Sequence, residues 1–224
     1  MEAPNPQRPL PRARNHSGNR QSRAGPTSPD RRAAFDVVAL AASAGGLKAL
    51  SHLLAALPHD FPASLVVVQH LDPRHRSLMA SILARRTPLA VKEAEEGDRL
   101  APATVLIAPP NKHLLVNADG AVILAQTELV HFVRPSADLL FESVAASYRE
   151  RSIGVVLTGT GSDGTMGVQA IKKMGGTVIA QDEATCEFFG MPNAAIQTGS
   201  VDFVLPLDEI SSALVTLVAT GAVE

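Results

Sequence analysis

The sequence predicts an α/β domain: a doubly wound, mainly parallel sheet with helices on both faces and an inserted antiparallel hairpin. Short runs of β-branched and apolar residues alternate with longer segments whose apolar residues recur at helical intervals. Alternation of this kind is the pattern of parallel crossover units. One stretch breaks the rhythm, where two strand-like runs flank "ADG", a hairpin turn signal.

Taken in order from Phe35, "DVVALAA" is a short apolar strand. "GGLKALSHLLAAL" spaces Leu47, Leu50, Leu53, Leu54 and Leu57 along one helix face, and Pro58 closes it. "SLVVVQH" is a second strand of the fully buried type, "HRSLMASILARR" a helix that stops before Pro88, and "AVKEA" a third strand. "ATVLIAPP", "HLLVN" and "AVILAQ" are short strands, the last two forming the hairpin. "PSADLLFESVAASYRER" is a helix with Ser136 as its N-cap. "IGVVLT" is a buried strand, followed by the helix "TMGVQAIKKM" with Gly175 as its stop. "TVIAQ" and "VDFVLP" are the last strands, and "LDEISSALVTLVA" is a closing helix with an apolar face.

A chain of 224 residues, 46% hydrophobic, accommodates one large domain of this class. Residues 1–34 differ: they are rich in Pro, Arg, Ser, Asn and Gly, with seven arginines against Glu2 and Asp30. So little apolar surface cannot offset the ordering entropy, and the expectation is a disordered basic tail before a folded domain at 35–224. "DRRAAFDVVALAASA" has the look of a twin-arginine export signal, but Asp36 interrupts the apolar run and no small-residue cleavage site follows. No apolar run is long enough for a membrane-spanning helix, so membrane insertion is not expected. No nucleic-acid partner is expected, and the location expected is cytoplasmic. Cys186 is the only cysteine, which excludes an internal disulfide. It reads as a bystander. The histidines are scattered without H-x-x-x-H or a cysteine pair, so no metal is implied. Arg74, Arg76, Arg85 and Arg86 crowd one helix and read as a solvated face.

Functional groups in such sheets collect beyond the carboxyl ends of the strands. Three ends carry reactive side chains: "AASAGG" with Ser43, "VVVQH" with His70 and "LTGTGSDG" with Asp163. The last also spells G-x-G-x-x-G, with Asp182 near where a dinucleotide fold keeps its ribose-binding acid. Asp163 argues against a cofactor, because a carboxylate in that loop would take up the amides meant for a phosphate and repel the anion. Too little chain follows Asp182 for a second mononucleotide half. No cofactor is expected, and Asp182 reads as a turn or cap residue. In the other reading the glycines shape a tight loop whose helix N-terminus keeps Asp163 ionised. That suits the third member of a triad. Ser43 has the strand-turn-helix placement of a nucleophile elbow, although Ala41 stands where the strict pattern has glycine. His70 ends a buried strand directly and is the best-placed base. Plainer roles remain open: Ser43 as a helix cap, His70 as a satisfied core histidine, Asp163 as an N-cap.

Seven stretches together, "ALAASAGGLKAL", "VVVQHLDP", "EGDRLAPATVLIAPPNKHLLV", "RPSADLLFESVA", "VVLTGTGSDGTMG", "VIAQDEATCEFFGMPNAAI" and "VDFVLPLDEI", resemble the catalytic domain of the chemotaxis receptor methylesterases (CheB-type protein-glutamate methylesterases). The resemblance implies a doubly wound parallel sheet and a Ser-His-Asp triad at Ser43, His70 and Asp163. It implies hydrolysis of γ-glutamyl methyl esters on receptor helices with release of methanol, and in some members deamidation of receptor glutamines. The family's oxyanion donors are backbone amides of two glycine-rich loops, which makes Ala44 and Thr160 the candidates here. Thr160 stands where the family usually has Met. Met191 and Pro192 are expected to shape the substrate face. The usual phosphoacceptor receiver has no counterpart in the sequence, so the partners expected are a methylated chemoreceptor-type protein and a separate receiver or regulator. A non-enzymatic signalling module that keeps the fold to bind a partner is the rival reading.

Overall fold

A computed structural model describes Met1 and residues 35–70, 77–130 and 132–220. The elements are β1 (Val37–Ala42), α1 (Gly46–Ala55), β2 (Ser64–Gln69), α2 (Met79–Ala84), β3 (Ala90–Glu93), β4 (Thr104–Ile107), β5 (His113–Val116), β6 (Val122–Ala125), α3 (Ala137–Tyr148), β7 (Ser152–Val156), α4 (Thr165–Lys173), β8 (Thr177–Gln181), α5 (Gly190–Gln197), β9 (Phe203–Leu205) and α6 (Leu207–Thr220). Seven strands form one sheet in the order β3-β4-β2-β1-β7-β8-β9, all parallel, while β5 and β6 pair antiparallel as a separate hairpin.

The order follows from composition. β1 and β2 are buried along their whole length and read as continuous apolar runs, because both of their faces are covered by helices. Alternate residues serve opposite faces. Val38, Leu40 and Ala42 of β1 join a core with Leu50, Leu53 and Leu54 of α1, Met79 and Leu83 of α2, and Ile210, Leu214 and Leu217 of α6. Val37, Ala39 and Ala41 join a second core with Leu140, Phe141 and Val144 of α3, Val168 and Ile171 of α4, Met191 of α5, and Leu114 and Val116 of the hairpin. β1 is where the chain turns about: β2 and β4 extend the sheet on one side, β7 and β8 on the other. In open α/β sheets the crevice at such a switch point is where ligands bind.

The structure bears out the doubly wound sheet with its inserted hairpin. It corrects the elements at two places. The helix expected from "HRSLMASILARR" is described only as the six-residue α2, and residues 71–76, with Arg74 and Arg76, lie outside the described residues, as do residues 2–34 of the expected tail. α5 was not expected. Gly190 and Pro192 obscure it in the sequence, yet both fall in its first turn, where a missing N–H and a fixed φ are tolerated.

Candidate active site

Ser43 follows β1, His70 follows β2, and Asp163 follows β7 after a loop; the three strands are adjacent in the sheet. Backbone bonds continue the strand pairing past its ends: the Ser43 N–H donates to the Thr158 carbonyl (3.1 Å) and the His70 N–H to the Ala42 carbonyl (3.1 Å). Sheet register thus sets the spacing of the nucleophile and base candidates.

Asp163 is almost fully buried, and its carboxylate has four donors. Oδ2 lies 2.8 Å from His70 Nε2 and accepts from the Ala137 N–H (2.6 Å); Oδ1 accepts from the Ser136 hydroxyl (2.8 Å) and the Asp138 N–H (3.2 Å). Burial pushes the carboxyl up, but His70, the two amides and Ser136 together outweigh it and hold Asp163 below its ordinary value. An ionised carboxylate only accepts, so His70 Nε2 carries a proton, and Nδ1 is the nitrogen left to act as base.

The plain cap readings do not hold. The N-cap of α1 is Gly45 and that of α4 is Gly164, and neither helix has a side-chain cap bond. The expectation that Asp163 sits on the N-terminus of the helix it precedes is corrected: it is held by the first turn of α3 instead. Ser136, the N-cap of α3 as expected, donates its hydroxyl to Asp163 and accepts from the Leu139 N–H (3.5 Å). Ser136 is fixed in turn by His113, which is fully buried: the Ser136 N–H donates to His113 Nδ1 (3.1 Å), and His113 Nε2 donates to the Glu128 carbonyl (3.0 Å).

Ser43 is partly exposed, and its hydroxyl makes no hydrogen bond among the described residues. The pair His70–Asp163 is formed without the serine hydroxyl. Gly159 lies against the serine: a Cβ there would come within 2.9 Å of Ser43 Cβ and 2.5 Å of Met191 Sδ, so the approach admits only glycine. Neither the Ala44 nor the Thr160 N–H donates to any atom among the described residues.

Met191 and Pro192 are buried, Met191 to 1% exposure. The expectation that they form a substrate face is therefore corrected. The Met191 side chain backs Gly159 from beneath, and its N–H donates to the Gly159 carbonyl (2.8 Å). Thr158 ties the neighbouring loops together: its hydroxyl lies within donating distance of the carbonyls of Ala44 (3.1 Å) and Phe188 (3.2 Å), with one proton to give, and accepts from the Phe188 N–H (2.9 Å). Its own N–H donates to Gln181 Oε1 (2.9 Å). Thr158, Gln181, Ser136 and His113 took no site role in the sequence reading.

Asp182 caps a turn, accepting from the Thr185 N–H (3.0 Å) and hydroxyl (2.5 Å). Burial, with Asp182 and Glu183 nearby, pushes the Cys186 thiol up to about 11, which leaves it a poor nucleophile. Arg85 and Arg86 are exposed.

Residues 38–214 match the family model described as CheB methylesterase. The chain is similar to a protein-glutamate methylesterase/protein-glutamine glutaminase from Moorella thermoacetica, 45% identical over 198 residues that cover 87% of this chain and 46% of that protein. A second relative of that name, from Anaeromyxobacter dehalogenans, is 46% identical over 84% of this chain and 54% of its own length. The chain thus spans about half the length of these curated relatives. The crystal structure of the Thermotoga maritima CheB methylesterase catalytic domain superposes with a TM-score of 0.79 at 41% identity, covering 82% of this chain and 99% of that one. Family model, relatives and fold agree over the same span, and the chain belongs to the CheB methylesterase family.

Proposed function

We propose that this chain hydrolyses glutamate methyl esters on chemoreceptor-type proteins, with Ser43 as nucleophile, His70 as base and Asp163 as the charge that orients the base. The observation that carries the reading is the His70–Asp163 pair, 2.8 Å apart and largely buried, at the end of the strand that neighbours the one Ser43 follows, at the switch point of the sheet.

In the first half-reaction Ser43 Oγ attacks the ester carbonyl while His70 Nδ1 takes its proton, and the carbonyl π pair moves to oxygen. Asp163, kept ionised by its four donors, stabilises the imidazolium that forms. The Ala44 and Thr160 amides, unclaimed among the described residues, are suited to hold the oxyanion. Collapse breaks the bond to the methoxy group, which leaves as methanol with the proton from His70. Water, deprotonated by His70, then cleaves the glutamyl ester of Ser43 and restores the serine. The same steps on a glutamine side chain release ammonia.

Ser43→Ala in the full chain is expected to abolish methanol release from methylated receptor membranes without changing the fold; retained turnover would remove the triad from the reading. The rival, a non-enzymatic binding module, predicts no labelling of Ser43 by a fluorophosphonate probe, whereas the enzyme predicts labelling that Ser43→Ala eliminates. A separate receiver or regulator belongs to the same reading, as does a cytoplasmic location; among the described residues no helix is long and apolar enough to cross a membrane.

A further inference from the structure

We propose that Gln69, the last residue of β2, is a positioning residue that aims the oxyanion donor of the serine turn. This rests on the acyl-transfer reading above. Gln69 is 5% exposed, and its Nε2 donates to two carbonyls, those of Ser43 (2.7 Å) and His70 (3.0 Å). The assignment of its amide is fixed by chemistry. A flipped side chain would set Oε1 against two carbonyl oxygens, so nitrogen must face them.

The consequence follows from the planarity of the peptide group. The Ser43 carbonyl and the Ala44 N–H belong to one trans peptide, so they point in opposite directions. Gln69 and the Gly46 N–H (2.9 Å) draw the Ser43 carbonyl into the fold. The Ala44 N–H is thereby turned the other way and left unclaimed. The second loop uses the same device with a backbone donor: the Met191 N–H holds the Gly159 carbonyl, and the Thr160 N–H of that peptide is turned outward. Gln69 is the one side chain in the pair of devices, and it clamps the nucleophile's peptide and the base's peptide to a single nitrogen. Gln69 Oε1 is buried and takes no donor among the described residues.

The test compares a methyl ester of a glutamyl peptide with its thionoester, whose sulfur accepts poorly from amide donors. Two full-length variants are used. Gln69→Met keeps the length and removes the donor. Gly46→Ala keeps Gln69 but places a Cβ 2.0 Å from its Oε1 and 2.7 Å from Ala42 Cβ, displacing the carboxamide together with the start of α1. Both are expected to lower kcat for the oxygen ester by about tenfold to a hundredfold at nearly constant KM, less than the roughly hundredfold to thousandfold for outright loss of one oxyanion donor, because the amide is misaimed rather than removed. Thionoester turnover should change far less, so the oxygen-to-sulfur rate ratio collapses. An equal fall for both esters, or none for either, overturns the proposal. Ser43→Ala run beside them separates the two readings: if it retains turnover, the triad has failed rather than the role of Gln69.

Discussion

The turn after β1 and the loop after β7 both leave a buried strand and enter a helix whose N-cap is a left-handed glycine, Gly45 in one and Gly164 in the other. They spend their polar groups in opposite ways. The serine turn sends carbonyls inward, to Gln69, Gly46 and Thr158, and keeps amides for the crevice. The aspartate loop sends a carboxylate inward, across to the first turn of α3, where it takes up the amides of Ala137 and Asp138. In the proposed mechanism one helix N-terminus is left open for the charge that appears during reaction; the N-terminus of α3 is filled by the carboxylate of Asp163. A fingerprint shared with dinucleotide folds therefore says only that a strand meets a helix through glycines. What fills the positive end has to be read from the partner element.

The contrast is broken most severely at Asp163. Asp163→Asn preserves the shape and removes the charge, and kcat is expected to fall by about four orders of magnitude, measured by methanol release at constant enzyme. Asp163→Ala additionally strands the Ser136 hydroxyl and two amides in a dry site, so urea unfolding should show a loss of about 3 kcal/mol or more. The sign of the pH effect follows from the lowered value of Asp163. The unfolded carboxyl binds its proton more tightly than the folded one. The stabilisation is complete above the ordinary carboxyl value near 3.8 and is lost as pH falls through the lower folded value. The stability gap between wild type and Asp163→Asn should therefore be constant near neutrality and shrink in acid, in urea titrations at stepped pH. Ser136→Ala removes a cap and one carboxylate donor, for an expected cost of about 1 to 2 kcal/mol in the same assay. The smallest effect is expected at the serine turn's counterpart donor. Thr160→Ala or Thr160→Met leaves the backbone amide in place, and turnover should stay within about threefold. A larger loss would mean that the threonine side chain itself takes part.

Strand and helix periodicity made the sheet legible, because β1, β2 and β7 are apolar on both faces and their helices are apolar on one. The positions of Ser43 and His70 were legible for the same reason, since each follows a strand end directly. The support around them was not. The hold of α3 on Asp163 joins residues 25 to 27 positions apart, and no local spacing records it. Gln69 looks like any polar residue that closes a strand, and its role emerges only when β1 and β2 lie in register, Ala42 beside it. The burial of Met191 was not legible either, because α5, which folds it inward against Gly159, was not recognised in "FFGMPNAAI".

His113 gives the hairpin a standing its position outside the main sheet conceals. Its Nδ1 accepts the Ser136 N–H, and Ser136 in turn donates its hydroxyl to Asp163. A graft that exchanged the hairpin between relatives, or a deletion that trimmed it to a bare turn, would have to resupply that acceptor. Without it, the edit would be felt at His70, on the far side of Asp163. The hairpin is thus inseparable from the catalytic half of the molecule as a unit of inheritance and of design, although it shares no strand with it.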